Sequence, residues 1–266
     1  MVDWPIKDHT TSRAFPAIAG CSGLRPRRRR SRGKSPGDRA RAAAEHVQEP
    51  VAFTQVEVAS RDIVDDEFRF DVRSYRNQGA QFYEVSLDQF FTWFAKGRTY
   101  DLVMLDDQRD WRDALDEVRT VFTVAAHDRT VVVLNNVMPA GEFSAPSDRE
   151  TALRLRAESG GHGEPWHADV CKTVLALHDL HPELDFRTIG SGDPQTIIWQ
   201  RRRTVSPRFA GEEEIGALTY ANVKRHRDLF ATVTEDKAMA EVQDWLFPRP
   251  IGRLSRLARR VSAWLG

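Results

Sequence analysis

The chain has 266 residues, 41% of them hydrophobic, and its 39 basic residues balance 39 acidic ones. This length suits one large α/β domain with appendages, and the two cysteines, Cys21 and Cys171, argue against a disulfide framework or a cysteine-based zinc site. The absence of an apolar run of about eighteen residues and of an N-terminal signal pattern predicts a cytoplasmic protein that does not span a membrane.

Residues 1–45 differ in composition from the rest of the chain. Pro, Gly, Ser, Ala and Arg dominate there, and residues 25–34 form an arginine-rich tract. Residues 1–50 carry 11 Lys and Arg against 5 Asp and Glu, whereas the remainder carries 28 against 34. Because like charges repel and no apolar periodicity is present, we predict a basic, disordered head. The tract lacks interleaved aromatic residues, so a solvated arm is favoured over a nucleic-acid-binding arm.

Apolar patterns of strand length and helix length alternate from about residue 51 onward. The first strand candidate runs into Asp65 and Asp66, and Ser86 is placed to cap the helix after the second candidate. The patterns predict strands at 56–64, 81–85, 102–105 and 130–134, helices at 86–94, 111–124, 147–158 and 169–180, and a hairpin of 186–189 with 196–199. This order predicts an α/β fold: a Rossmann-like doubly wound sheet with an antiparallel C-terminal hairpin.

Polar side chains follow two of the predicted strands directly. Asp106 comes after the strand at 102–105, and Asn135 and Asn136 come after the strand at 130–134. Apolar runs that open into polar loops are typical of neighbouring parallel strands buried on both faces. Because ligands of open α/β sheets bind outside the carboxyl ends of the strands, we expect a site at these residues.

Four blocks of the chain resemble class I S-adenosylmethionine-dependent methyltransferases, in particular a bacterial branch directed at small molecules or glycans. The blocks are residues 63–72, 100–106, 165–174 and 191–199, and the third contains Trp166-His167-Ala168-Asp169-Val170. The resemblance implies a methyltransferase that uses S-adenosylmethionine and a hydroxyl of a small-molecule or glycan acceptor. It implies a Rossmann-like domain at 46–203 and a helical C-terminal extension at 204–266.

The resemblance also implies which residues bind the cofactor. Asp65 would hold the ribose, because a carboxylate at the end of the second strand can accept hydrogen bonds from both ribose hydroxyls. Asp66 and Ser86 would lie near it, and Asp106 would lie beside the methyl donor. From the residues alone, Asp65 can equally be an aspartate that forms a turn or caps a helix.

The acceptor side of the implied site lies in the third block. His167 would deprotonate or orient the acceptor hydroxyl, a role that suits a histidine in a loop. Asp169 and Lys172 are expected at the substrate. Asp169 precedes an apolar helical pattern, so we also predict that it caps that helix.

The chain departs from the family pattern at the first strand. Relatives end that strand in a Glu-x-Gly-x-x-x-Gly type of turn, whereas residues 44–50 read Ala-Glu-His-Val-Gln-Glu-Pro, without glycine. The sheet can therefore lack its first strand, replaced by the basic head. Two interpretations follow: an enzyme whose upstream segment reflects a frameshift or a wrong start, and a non-catalytic relative that has lost cofactor binding and acts as an interaction module.

A metal site is a further expectation from the resemblance. Some related O-methyltransferases bind Mg²⁺ through an Asp after the fourth strand and an Asp-Asn pair after the fifth, the positions of Asp106, Asn135 and Asn136. Two of these three side chains are neutral amides, so we expect at best weak Mg²⁺ binding. Asparagine at the end of a strand is more commonly a turn residue.

The C-terminal tail has the pattern of a basic amphipathic helix. Apolar residues recur three or four apart over 251–265, and four arginines lie largely off that stripe. Such a helix can contact an anionic membrane surface, and it can equally pack on its own domain or on a partner subunit. The sequence leaves the oligomeric state open.

Overall fold

The structure is a computed structural model that describes residues 41–45, 58, 60–68, 70–106, 110–139, 141–159, 166–192 and 194–248. Eight strands occur in these residues: β1 (Arg41–Glu45), β2 (Ser60–Asp65), β3 (Ala80–Glu84), β4 (Leu102–Leu105), β5 (Val131–Leu134), β6 (Leu184–Ile189), β7 (Gln195–Gln200) and β8 (Thr232–Val233). They form one sheet in the order β3-β2-β1-β4-β5-β7-β6-β8.

The sheet is parallel from β3 to β5, and β7 is the one described strand that runs in the opposite direction. Strand β7 runs antiparallel between β5 and β6, and its register pairs Ile198 with Val132 on one side and with Phe186 on the other. The predicted α/β fold, a Rossmann-like doubly wound sheet with an antiparallel C-terminal hairpin, is therefore confirmed.

Strand β1 corrects the expectation that the sheet could lack its first strand. It occupies the centre of the sheet, where Ala44 pairs with Ile63 of β2 and with Met104 of β4. The sheet thus begins at Arg41, inside the segment predicted as the head. The sequence pattern did not predict this strand, because Arg-Ala-Ala-Ala-Glu has low β propensity and contains no β-branched apolar residue. Pairing with a strand on each side overrides that weak preference.

Helices connect the strands and cover both faces of the sheet. The described helices are α1 (Leu87–Gln89), continued by a π turn (Phe90–Phe94); α2 (Trp111–Thr120), continued by a π turn (Val121–Ala125); α3 (Arg149–Ser159); α4 (Cys171–Leu180); α5 (Glu212–Gly216); α6 (Tyr220–Arg225); and α7 (Glu235–Leu246). Two 3-10 segments, Val72–Gln78 and Arg227–Phe230, complete these elements.

Alternate residues of the central strands enter two separate hydrophobic cores. On one face Val132 belongs to the core that holds residues of α1, α2 and α4, such as Leu115 and Val174. On the other face Val131 and Val133 belong to the core that holds residues of α7. Because both faces are covered, the edge where the strands end is left for a ligand.

The C-terminal extension is built into the fold. Strand β8 adds to the sheet beside β6, pairing Thr188 with Thr232, and the ring of Trp245 on α7 lies 6.3 Å from that of Trp199 on β7. Among the described helices, none is long and apolar enough to cross a bilayer. The predicted head up to residue 40 and the predicted amphipathic tail at 251–265 lie outside the described residues.

Candidate functional site

The carboxyl ends of five parallel strands lie along one edge of the sheet. The register pairs Asp65 with Glu84 and Leu105 with Leu134, so Asp65, Asp106 and Asn135 all come to this edge. Successive strands are added outward from β1 to β3, and the chain then returns to the other side of β1 at β4. Open α/β sheets bind ligands at such a reversal of strand order. The predicted cofactor residues Asp65 and Asp106 flank it.

The two carboxylate oxygens of Asp65 have different surroundings. Its Oδ1 accepts from the backbone N–H of Glu67 at 3.0 Å, and its backbone carbonyl accepts from Val85. No donor from the described residues bonds Oδ2, although the residue is only 9% exposed. Asp65 is therefore a turn aspartate whose second oxygen can still accept a hydrogen bond from a ribose hydroxyl. The role in a turn and the predicted role in ribose binding are thus compatible. Its neighbour Asp66 is exposed.

Asp106 and Asn136 meet at the ends of β4 and β5. The side-chain amide of Asn136 donates to Oδ1 of Asp106 at 3.2 Å, and Asn136 adopts the left-handed conformation with φ of 61°. A left-handed asparagine is a common way to turn the chain at a strand end.

This contact corrects the predicted Mg²⁺ site. A hard cation needs carboxylate and carbonyl oxygens that converge on one point. Here the side-chain amide of Asn136 presents a donor to Asp106, where a ligand oxygen would be needed. The residues present do not fit a magnesium site.

Asn135 is a buried amide at the same edge. Its backbone N–H donates to the carbonyl of Leu105 at 3.0 Å, which continues the pairing of β5 with β4. Its side-chain Oδ1 is buried and accepts no hydrogen bond in the described part of the chain. A buried carbonyl of this kind is uncommon, because leaving it without a donor costs free energy.

His167 is buried in a loop that is tied to the segment after β5. Its backbone N–H donates to the carbonyl of Ser144 at 2.9 Å, and the indole N–H of Trp166 donates to the carbonyl of Pro146 at 2.8 Å. The next residue, Ala168, has a φ of 51°, in the left-handed region that glycine adopts most readily. These bonds fix His167 on the side of the sheet where β5 ends. Its role toward an acceptor stays a prediction.

Asp169 caps a different helix from the one predicted. The N-cap of α4 is Val170, which makes no side-chain cap hydrogen bond, so the prediction for Asp169 was wrong in this respect. Oδ1 of Asp169 instead accepts from the backbone N–H of Trp111, the first residue of α2, at 3.1 Å. The start of α2 also carries its own N-cap, Asp110, which accepts from two backbone N–H groups.

Lys172 completes a buried cluster with Asp169. Its ammonium lies 3.1 Å from Oδ2 of Asp169 and donates to the carbonyl of Gly216 on α5 at 2.8 Å. Both side chains are almost fully buried, and each has its partners within the protein. These are the contacts of a structural ion pair that joins α2, α4 and α5. The substrate role of either residue stays a prediction.

Ser86 caps α1 as predicted. Its Oγ accepts from the backbone N–H of Gln89 at 3.3 Å. This bond satisfies a backbone donor that the helix itself leaves without a partner. Contact between Ser86 and a cofactor stays a prediction.

A pocket that the sequence did not indicate opens beside the end of β5. It is a narrow space, partly open to solvent, and it lies between the residues after Asn136 and the C-terminal extension. Its residues include Val137, Met138, Cys171, Tyr220, Val223 and Lys224. Burial raises the pKa of the Cys171 thiol to about 12, so this thiol is uncharged at neutral pH. Tyr220 and Lys224 belong to the extension, whose sequence carries no motif that would have indicated a site.

No protein-family model matches the chain, and no curated protein matches it. Among solved structures, a protein from Klebsiella pneumoniae provisionally described as an O-methyltransferase is 11% identical, with a TM-score of 0.45 over 73% of this chain and 92% of that chain. A methyltransferase from Podospora anserina bound to S-adenosylhomocysteine is 12% identical, with a TM-score of 0.43 over 73% and 91%. An O-methyltransferase family protein from Burkholderia thailandensis is 16% identical, with a TM-score of 0.39 over 71% and 56%.

The sheet of this chain has the arrangement predicted from the order of its strand and helix patterns, with parallel strands followed by an antiparallel hairpin. The chain thus has a Rossmann-like fold with polar residues gathered at the carboxyl edge of its sheet.

Proposed function

We propose that this chain is an S-adenosylmethionine-dependent methyltransferase that acts on a hydroxyl of a small molecule or glycan. The observation that carries the proposal is the position of Asp65. This buried carboxylate ends β2, next to the reversal of strand order, and keeps Oδ2 free of hydrogen bonds from the described residues. A ribose bound at a switch point needs an acceptor of this kind.

S-adenosylmethionine, when bound, supplies a methyl group made electrophilic by the attached sulfonium. Asp65 would accept hydrogen bonds from the ribose, which are strengthened by its negative charge. Asp106 would face the donor from the end of β4, its carboxylate held in place by Asn136. His167 would orient the acceptor hydroxyl and remove its proton. The main contribution of these residues is to position the acceptor oxygen in line with the methyl group.

The alternative is a methyltransferase fold that has lost its cofactor site and acts as an interaction module. The glycine-free segment 46–50 favours it, because glycine at that turn lets the backbone approach a cofactor, and Pro50 removes a backbone donor. Strand β1 leads directly into this segment, which lies outside the described residues.

Calorimetric titration of S-adenosylhomocysteine into the full chain tests the proposal, with two matched variants. We expect micromolar binding that Asp65→Asn weakens about ten-fold or more, because the variant replaces charge-assisted hydrogen bonds with neutral ones. Asp66→Asn makes the same substitution at the exposed neighbouring residue, and this variant should bind S-adenosylhomocysteine like the wild type. Absence of heat at millimolar ligand, from protein with a cooperative thermal unfolding transition, would favour the non-catalytic alternative.

A further inference from the structure

We propose that the outer edge of β3 is a dimer interface, at which β3 of a second copy of this chain pairs antiparallel with it about a two-fold axis at Phe82. The inference goes beyond the proposed function and does not depend on cofactor binding. It rests on the backbone of β3, on the aromatic side chains around the strand and on the position of Glu84, the charged residue of the strand.

Strand β3 ends the sheet, so half of its backbone groups face away from the other strands. The N–H of Val85 donates to the carbonyl of Asp65 at 3.0 Å, toward β2. Because successive residues of a strand direct their backbone groups to opposite sides, those of Ala80, Phe82 and Glu84 point away from β2. In the described part of the chain, β2 is the strand that pairs with β3, and no other does. The outward N–H and C=O groups can therefore pair with another chain.

Strand β3 also lacks the residues that usually protect the edge of a sheet. Its sequence, Ala-Gln-Phe-Tyr-Glu, contains neither lysine nor proline, and all of it lies in regular register with β2. Lysine, proline and bulges are common means by which monomeric proteins prevent pairing at an edge. At the other end of the sheet, β8 covers the edge of β6. The edge at β3, in contrast, is suited to a second chain.

Aromatic side chains that keep part of their surface exposed flank β3 on both faces of the sheet. On one face the ring of Phe82 lies 5.5 Å from that of Phe68. On the other face the rings of Tyr83 and Phe94 lie 5.2 Å apart, and Phe94 is 40% exposed. The adjacent Trp93 is 64% exposed. Aromatic residues of this kind are enriched at protein interfaces, because each buries a large apolar area.

Pairing about Phe82 makes the interface self-complementary. Phe82 would pair with Phe82 of the second copy, and Ala80 with Glu84, each pair exchanging both backbone hydrogen bonds. The two phenylalanine rings would lie side by side on one face of the joined sheet, where cross-strand aromatic pairs are favourable. Glu84 would lie across the small Ala80 from Arg61, the neighbour of Ala80 on β2. The charges and sizes of these residues thus fit a second copy of this chain.

The environment of Arg61 agrees with this pairing. The residue is 7% exposed, and burial lowers the pKa of its guanidinium. A carboxylate brought near a buried cation stabilises its charged form. Glu84 is exposed in the single chain, so it is available to approach Arg61 of a second copy.

The dimer would also border the proposed cofactor site. Glu84 pairs in register with Asp65, so the end of β3 lies at the carboxyl edge of the sheet. Because the two copies of β3 run in opposite directions, the 3-10 segment Val72–Gln78 that precedes β3 in the second copy would lie beside this edge. Only β3 would then separate Asp65 from the second copy.

Sedimentation velocity of the full chain over about 1 to 100 μM tests this inference, and we expect dimers that dissociate on dilution. Glu84→Lys should weaken the dimer about ten-fold or more, because it brings a like charge toward Arg61 and places a lysine at the edge. Glu158→Lys makes the same charge change at an exposed residue of α3 and should dimerise like the wild type. Thermal unfolding followed by circular dichroism checks that both variants are folded.

Amide hydrogen exchange locates the interface in the unchanged chain, so this measurement holds even if Glu84→Lys fails to fold. The outward N–H groups of Phe82 and Glu84 should exchange more slowly in concentrated than in dilute protein, because pairing protects them. A chain that stays monomeric at the highest concentration, or equal dimerisation of Glu84→Lys and Glu158→Lys, would overturn the inference. A dimer that leaves exchange at β3 unchanged would overturn it too. Since no cofactor is added, none of these outcomes bears on the proposed function.

Discussion

At the scale of single residues, the structural role of a polar side chain can depend on a hydrogen-bond partner that is distant in sequence. Asp169 stands immediately before α4, yet it bonds the first backbone N–H of α2 and the ammonium of Lys172. A buried carboxylate needs several donors, and α2 offers one that Asp110 does not use. The sequence predicted that Asp169 caps the helix that follows it, whereas in the structure it accepts from the first backbone N–H of α2.

The ion pair of Asp169 with Lys172 leads to a stability prediction. Lys172→Met should lower the free energy of unfolding by about 3 kcal/mol, because it leaves a buried carboxylate without its counter-charge and removes the donor to Gly216. Lys237→Met at an exposed position is the matched control and should change it by less than about 0.5 kcal/mol. Urea unfolding followed by circular dichroism measures both. Similar midpoints for the two variants would mean that the pair does not stabilise the fold.

At the scale of elements, β1 shows that backbone pairing with neighbouring strands can outweigh the low β propensity of a segment. Its residues Arg41–Glu45 have the composition of the basic head, and only their neighbours in the sheet make them a strand. A central strand has a partner for each backbone N–H and C=O, which compensates for poor side-chain propensity. The strands from β2 to β7 could be predicted from their own residues, because their apolar patterns indicate burial directly.

Proline substitution tests the central position of β1. Ala43 pairs with Asp62 on one side and with Val103 on the other, so Ala43→Pro removes a ladder hydrogen bond and should destabilise the protein by about 3 kcal/mol or more. Ala14→Pro, in the predicted disordered head, serves as the control and should leave thermal unfolding unchanged. If Ala43→Pro melted at the same temperature as the control, β1 would not be part of the sheet.

At the scale of the whole molecule, the C-terminal extension closes both cores. Phe209, Ile215 and Phe230 belong to the core that holds α2, and Met239 and Val242 belong to the opposite core. Strand β8 also covers the edge of the sheet at β6, where backbone groups would otherwise invite pairing with another chain. The boundary predicted at residue 203 therefore separates segments that share their cores.

Truncation distinguishes the extension from the tail. A chain ending at residue 203 should lack cooperative unfolding and bind a hydrophobic dye, because both cores lose buried side chains. A chain ending at residue 248 keeps every described element through α7 and should unfold like the full chain. Calorimetric melting of the two chains measures the difference. Cooperative melting of the shorter chain would show that the segment up to residue 203 suffices as a domain.

The sequence by itself determined the fold class, most of the strands and the edge at which Asp65, Asp106 and Asn135 gather. Those features follow from local patterns, because alternating burial and polar strand ends are written in neighbouring residues. Only the tertiary structure decided that β1 lies at the centre, that Asn136 donates to Asp106, that Asp169 serves α2, and that Lys224 stands beside β5. Each of these depends on which distant segments meet, and backbone and polar groups find their partners only when the whole chain has packed.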